Sequence, residues 1–408
     1  MRFRLLETFR AFSTARLTAS SQSSASRSRH LEYFLKLAEE AEPELTAANQ
    51  AEWLNRLEAE HENLRAALDW ALDESGQGPV VSGQGKTTTN QKPTGTGHRS
   101  LVTAEGLRIA GALWRFWWVR GYLSEGRARL AAALESSQES GVGSQSVGAR
   151  RAVPESQSIL AKALNGAGNL AQSQGDYLTA RALFEQALAI SRELGDQRGI
   201  AGSLNNLGNV AKEQGDYEAA RRYYEESLAL FRDLGNKWGI AAALGNLGGV
   251  ANEQGDYEAA RRFYEESLAI RRELGDKGGI ANSLLNLGGM ALKEGHLSKA
   301  RSLLKEALGI RRNIGDRRGV AYSFESSADL NQAEGNSERA AKLLGAADAL
   351  REAIGSPLPP SERADHDRTL AAVCSALSAP AFDAAFAAGR AMSLEQAIEF
   401  ALNEERDL

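Results

Sequence analysis

Residues 214–236 read QGDYEAARRYYEESLALFRDLGN, and nearly the same string returns at residues 254–276 as QGDYEAARRFYEESLAIRRELGD. Working outward, QGDYLTARALFEQALAISRELGD begins at Gln174, while EGHLSKARSLLKEALGIRRNIGD and EGNSERAAKLLGAADALREAIG begin at Glu294 and Glu334. The period is 40 residues, and five units fill residues 159–355. A repeat of this length cannot bury its own apolar face, so the units must stack on one another. A divergent unit, ALWRFWWVRGYLSEGRARLAAALES, places Gly121, Arg127 and Leu134 in the register of Gly175, Arg181 and Leu188.

Each unit reads as two helices of about 18 residues. At the joint, Gly215 can take the left-handed conformation that closes the first helix, and Asp216 can cap the amides that open the second. Gly235 and Asn236 repeat the device at the far end. Leu204, Leu207 and Ala211 form the apolar stripe of one helix, and Ala220, Tyr224 and Ser227 that of its partner. Small residues recur where helices must approach: Gly168, Gly208, Gly248, Gly288 and Ala328 in the first helices, Ala180, Ala220, Ala260, Ala300 and Ala340 in the second.

This pattern resembles the tetratricopeptide repeat in a long, 40-residue form, with arginine (Arg192, Arg232, Arg272, Arg312) where a helix-ending proline is usual. The expected fold is all-α, a right-handed superhelix of antiparallel helix pairs. The resemblance implies a concave groove lined by the first helices. Nine asparagines recur near such positions: Asn165, Asn169, Asn205, Asn206, Asn209, Asn246, Asn252, Asn282 and Asn286. Helical asparagine costs about 0.5 kcal/mol against alanine, so a recurrent set needs a reason. An amide both donates and accepts, and a ladder of amides can bind an extended peptide backbone. With Lys212 and Lys293 these residues are the expected partner-binding set. The competing explanation is that some of them satisfy backbone within the solenoid. The Glu/Arg faces of the second helices, exemplified by Glu218 and Arg222 at i,i+4, read as a solvated exterior.

Composition limits the alternatives. The 408 residues are 42% hydrophobic and 25% charged, with a net charge of −5. That gives no basic footprint for nucleic acid, so no direct nucleic-acid partner is expected. No window is apolar enough for a membrane span, because Arg108 and Arg115 interrupt the best one. A cytoplasmic location is expected. The single cysteine, Cys374, reads as a small buried hydrophobe. Residues 1–30 hold six arginines, seven serines and one acid, Glu7, which suits either a transit peptide or a short amphipathic helix with a Ser-rich linker.

Several chemical lookalikes fail on context. GQGKTTT at residues 83–89 suggests a phosphate loop, but Val80 stands at the first glycine position, and neither a buried strand nor a helix flanks it. Gly166, Gly168 and Ala171 imitate a dinucleotide fingerprint, yet the sister repeats read NLGNVA and NLGGVA there, which makes Gly168 a packing glycine. The histidines are scattered, and Asp365, His366 and Asp367 point in different directions on a helix. No enzyme activity and no cofactor are expected. Trp114, Trp117 and Trp118, at i, i+3, i+4, read as core.

The flanks carry a second resemblance. LLETFRAFSTARL, HLEYFLKLAEEAEPEL, EAEHENLRAALDWALDE and the C-terminal AKLLGAADALREAIGSPLPPSERADHDRTL and GRAMSLEQAIEFAL look like the helical region of bacterial STAND-type signalling ATPases. In that family an ATPase core precedes this region, and this sequence does not contain it. The resemblance implies a sensor or scaffold in signalling or transcriptional regulation. Its ligand would be a protein or peptide in the groove, or a small inducer, acting with a partner ATPase or regulator. The expected organisation is a winged-helix-tail remnant and linker (1–30), a helical hairpin (31–75), a disordered insertion (76–100), a divergent unit (101–135), a flexible insertion (136–158), five repeats (159–355) and a helical cap (356–408).

Overall fold

The computed structural model describes residues 23–72, 96–139 and 154–403, and these residues form 18 helices with no strand among them. Three helices open the chain: α1 (Ser23–Glu44), α2 (Gln50–Ala59) and α3 (His61–Leu72). The pair α4 (Thr96–Arg120) and α5 (Leu123–Glu139) follows. Five pairs then repeat: α6 (Pro154–Ser173) with α7 (Tyr177–Leu194), α8 (Gln197–Glu213) with α9 (Tyr217–Asp233), and α10 (Lys237–Glu253) with α11 (Tyr257–Leu274). The last two are α12 (Lys277–Lys293) with α13 (Leu297–Ile314), and α14 (Arg317–Ala333) with α15 (Ser337–Ile354). The chain closes on α16 (Pro360–Ala376), α17 (Ala379–Arg390) and α18 (Leu394–Leu402).

The repeat joints form as their residue types require. Gly215 adopts φ +78°, and Asp216 accepts a hydrogen bond from the Ala219 amide at 3.0 Å. Asn236 caps Gly239 in the same way at 3.0 Å. Inside three of the five repeat pairs a missing Cβ makes room for a ring, Gly168 against Phe184 among them: one built on Gly208 would stand 2.5 Å from Tyr224, and one on Gly248 would stand 2.7 Å from Tyr264. Tyr224 is fully buried and its hydroxyl donates to Asn209 Oδ1 at 2.8 Å, which removes the cost of burying it. Ser227 and Ser267 sit at the same depth and donate to the Ala201 and Ala241 carbonyls, each at 2.8 Å.

Four boundaries differ from expectation. α1 starts at Ser23, inside the expected linker, because Leu31, Phe34, Leu35 and Ala38 dock the helix on the core and carry its polar first turns with it. The segment 31–75 holds three helices, the chain breaking at Glu60 (φ −102°) so that α2 and α3 can turn Leu54, Leu57, Leu64 and Leu68 inward. α4 begins at Thr96 and α5 runs to Glu139, which trims both expected insertions. The phosphate-loop lookalike at residues 83–89 lies outside the described residues, as do residues 1–22. Trp117 is core, while Trp114 and Trp118 are half-buried. Cys374 is exposed, because the neighbouring Val373 takes the buried position on α16.

The exterior is also more specific than a solvated face. Arg181, Arg221, Arg261 and Arg301 each reach across to the end of the following first helix, at Gln214, Gln254, Glu294 and Glu334. Each links one repeat to the next. Glu218 accepts from Gln254 Nε2 at 3.3 Å rather than pairing with Arg222.

The superhelix curls until its start meets its end. Gln50, the first residue of α2, accepts from the Gly278 amide at 3.1 Å, Arg318 of α14 stacks over Trp118 of α4 at 5.0 Å, and Ile354 lies against Gly121. Ser356 donates to the Ser173 carbonyl at 3.0 Å. α4 therefore touches α14, and α2 touches α13.

Candidate functional site: the concave groove

The even-numbered helices from α4 to α14 line the inner face. Gly202, Asn205, Asn206, Asn209 and Lys212 follow one another at helical spacing on α8, and Asn282, Asn286 and Gly289 do so on α12. Among the described residues, no atom outside the local helix backbone lies within 4 Å of a Cβ built at Gly202 or Gly289. These mid-helix glycines each cost about 1 kcal/mol relative to alanine, and no internal packing returns it.

The asparagines divide by what already engages them. Asn165 donates to the Ala161 carbonyl and Ser203 and accepts from Ser203 and Asn206 Nδ2, the last at 3.1 Å, so its capacity is filled inside the solenoid. Asn169 donates to the Asn165 carbonyl at 2.8 Å. Asn246 donates to Asn205 Oδ1 at 3.0 Å, one repeat back, leaving the Asn205 amide hydrogens with no partner among the described residues. Asn209 uses its carbonyl for Tyr224, Asn282 receives Arg311 Nη2 at 2.8 Å, and Asn252 donates to Glu253 at 3.2 Å. Asn286 is half-buried and has no hydrogen bond among the described residues. Part of the set is thus inter-repeat glue; Asn205, Asn209, Asn246 and Asn286 keep capacity toward the groove.

The two lysines meet a segment of the chain itself. α16 lies across the inner face, touching α8 and α14. Ser361 Oγ donates to Glu213 Oε2 at 2.6 Å, Lys293 stands 3.9 Å from Asp365, and Thr369 Oγ1 donates to Asp329 Oδ1 at 2.7 Å. Lys212 lies 3.3 Å from Glu213 with Glu362 in its field. Burial alone would depress the Lys212 pKa, but Glu213, Tyr224 and Glu362 together raise it, so the ammonium stays charged. Burial pushes the Glu362 carboxyl up to about 7, with Glu325 and Glu213 adding to the rise against Lys212 and Arg351. Burial likewise lifts Asp329 to about 6.

Deeper in the groove, Arg115 lies between the rings of Trp114 (4.6 Å) and Trp238 (5.1 Å), and burial lowers its guanidinium to about 10. Arg351 forks onto Glu325 with two bonds of 2.6 Å, and Arg311 donates to the Gly319 carbonyl and Ser323, both at 2.7 Å. Sequence reasoning passed over Arg115, Arg311, Arg351 and α16. The signal for Arg311 and Arg351 was their 40-residue spacing with Arg271, one position before the exposed Arg272 and Arg312 in the first two cases. Among the described residues, no group of three or more His, Cys, Asp or Glu is arranged to hold a metal, and no helix is long and apolar enough to cross a membrane.

Residues 159–233 and 239–313 match the tetratricopeptide repeat family model, so the repeats are of that type. No curated protein matches the chain. Among solved structures, BtubC (BKLC) from P. vanneervenii is 21% identical, the match covering 58% of this chain and 94% of that one, with a TM-score of 0.42. A Rap protein complexed with competence and sporulation factor is 15% identical over 90% of this chain and 100% of that one, with a TM-score of 0.46. The apo form of RapI is 16% identical over 78% and 96%, with a TM-score of 0.47.

Proposed function

We propose that this chain is a non-catalytic binding module whose concave groove holds a protein or peptide, and that it works in the cytoplasm in bacterial signalling or transcriptional regulation. The observation that carries the reading is the face at Gly202, Asn205 and Asn209 and its counterpart at Asn282, Asn286 and Gly289. Amides with free capacity stand there beside glycines that nothing fills. Such a surface offers hydrogen bonds and close approach to a bound backbone. The regulatory setting, with a STAND-type ATPase as partner, rests on the flanking segments quoted above.

Affinity capture on the immobilised chain, followed by mass spectrometry, identifies the partner. Its affinity is then measured for Asn205→Ala/Asn286→Ala and for Arg222→Ala/Glu226→Ala. The first pair is expected to weaken binding about 5- to 150-fold, equivalent to roughly 1–3 kcal/mol, and the exposed second pair about tenfold less. Loss confined to the second pair places recognition on the outer face and sinks the reading. A second reading, a small-molecule inducer site acting on a partner ATPase, is favoured by Arg115 between Trp114 and Trp238, an aromatic wall suited to a compact ligand.

A further inference from the structure

The groove already has an occupant. Ser361, Asp365 and Thr369 stand at i, i+4 and i+8 on α16, one stripe of hydroxyl, carboxylate and hydroxyl. That stripe meets Glu213 on α8, Lys293 on α12 and Asp329 on α14. Eight helical residues span about 12 Å, whereas helices three pairs apart in a flat row would stand roughly 25–30 Å apart. The curvature therefore brings three inner helices within reach of one short helical face.

We propose that α16 is a resident mimic of the groove's partner: the partner is a polar helix bearing a Ser/Thr, Asp/Glu, Ser/Thr stripe at i, i+4, i+8, and it binds by displacing α16. The inference rests on the groove reading above and names the partner's chemistry. α16 has little apolar anchoring, since Val373 is its one buried apolar residue. Its ends are fixed: Ser356 bonds the Ser173 carbonyl on one side, and α17 crosses α15 closely at Gly345 and Gly389 on the other. The helix must then leave by local unfolding between two anchors. Gly355, at φ +64°, opens the five-residue approach to it. The raised Glu362 carboxyl adds to this, because its charged form is disfavoured against α8 and α14 near neutral pH.

The test uses the full chain and a labelled synthetic peptide of residues 359–377 with serine at position 374. Ser361→Ala/Asp365→Ala/Thr369→Ala removes the resident's own contacts. In hydrogen exchange this variant is expected to lose protection in α16 at least tenfold while α17 keeps its own, and to bind the peptide at least tenfold more tightly than the unaltered chain. Adding Lys293→Glu is expected to abolish that gain; circular dichroism verifies that each variant is folded, and Thr369→Val alone gives the same trend at smaller size. Equal peptide affinity in the two chains, or α16 protection matching that of α14 in both, overturns displacement and leaves the groove reading standing. An opened α16 with no peptide binding overturns the mimicry, whereas loss of captured-partner binding confined to Arg222→Ala/Glu226→Ala is what overturns the groove reading.

Discussion

Gly202 and Gly208 occupy the same helix for opposite reasons. A Cβ on Gly208 would stand 2.5 Å from the Tyr224 ring, while one on Gly202 meets no atom of the described residues within 4 Å outside its own helix backbone. Gly208→Ala is expected to destabilise by about 1–3 kcal/mol through overpacking, and Gly202→Ala to stabilise by about 0.5–1 kcal/mol through helix propensity. Urea midpoints of the two variants should move in opposite directions; a common direction would mean that the inner face is misread. Glu362 makes a second residue-scale prediction. Its folded pKa is raised to about 7 from the ordinary 4.5, so its contribution is fully present below about 4.5 and is lost as pH rises through 7. Charged or titrating neighbours face it from several helices: Lys212 and Glu213 on α8, Arg311 on α13, Tyr322 and Glu325 on α14, Arg351 on α15 and Tyr177 on α7. The stability of the unaltered chain relative to Glu362→Gln should therefore fall between pH 5 and pH 8. A difference that stays constant across that range excludes Glu362 as the titrating group.

At the scale of the element, arginines one repeat position apart on equivalent second helices do different work. Arg311 of α13 is 1% exposed and bonds Gly319, Ser323 and Asn282, tying α13 to the inner helices α12 and α14. The exposed Arg272 of α11 only approaches Glu306, at 3.9 Å. Arg311→Ala strands the groups it bonds and is expected to cost about 3 kcal/mol or more; Arg272→Ala should stay within about 0.5 kcal/mol. Comparable shifts in thermal or urea unfolding would contradict the burial difference. Sequence reasoning marked Arg272 and Arg312 because they stand where a proline is usual, and missed the neighbours. Which of two successive arginines turns inward depends on helix phase to within one residue, and composition does not supply it.

For the molecule as a whole, closure changes how the repeats unfold. An open solenoid behaves as a row of units coupled only to neighbours. Here the opening helices also touch the last repeats, through Gln50 with Gly278, Trp118 with Arg318 and Ser173 with Ser356. All six tryptophans lie at or before residue 238, five of them at or before residue 118, whereas far-UV dichroism reports every helix. Tryptophan fluorescence and dichroism are expected to give coincident urea transitions. A fluorescence midpoint clearly separated from the dichroism midpoint would show that the contacts between start and end do not couple the turns.

The sequence by itself determined the local and periodic features: helix pairs of about 18 residues, joints at Gly215–Asp216 and Gly235–Asn236, and small residues such as Gly208 and Ala220 where helices approach. Each is set by residue type within one 40-residue unit, and five copies of the unit remove ambiguity about register. The groove's chemistry was legible only in part. Asn165 reads like Asn205, yet one is filled by Ser203 and Asn206 and the other keeps free hydrogens, a distinction that arises between repeats. Only the tertiary structure decided that α16 lies in the groove and that the ends of the superhelix meet. Those outcomes depend on a small rotation per repeat summed over six pairs, and that sum brings together residues as distant as Glu213 and Ser361 or Gln50 and Gly278, whose spacing in the chain carries no periodic signal.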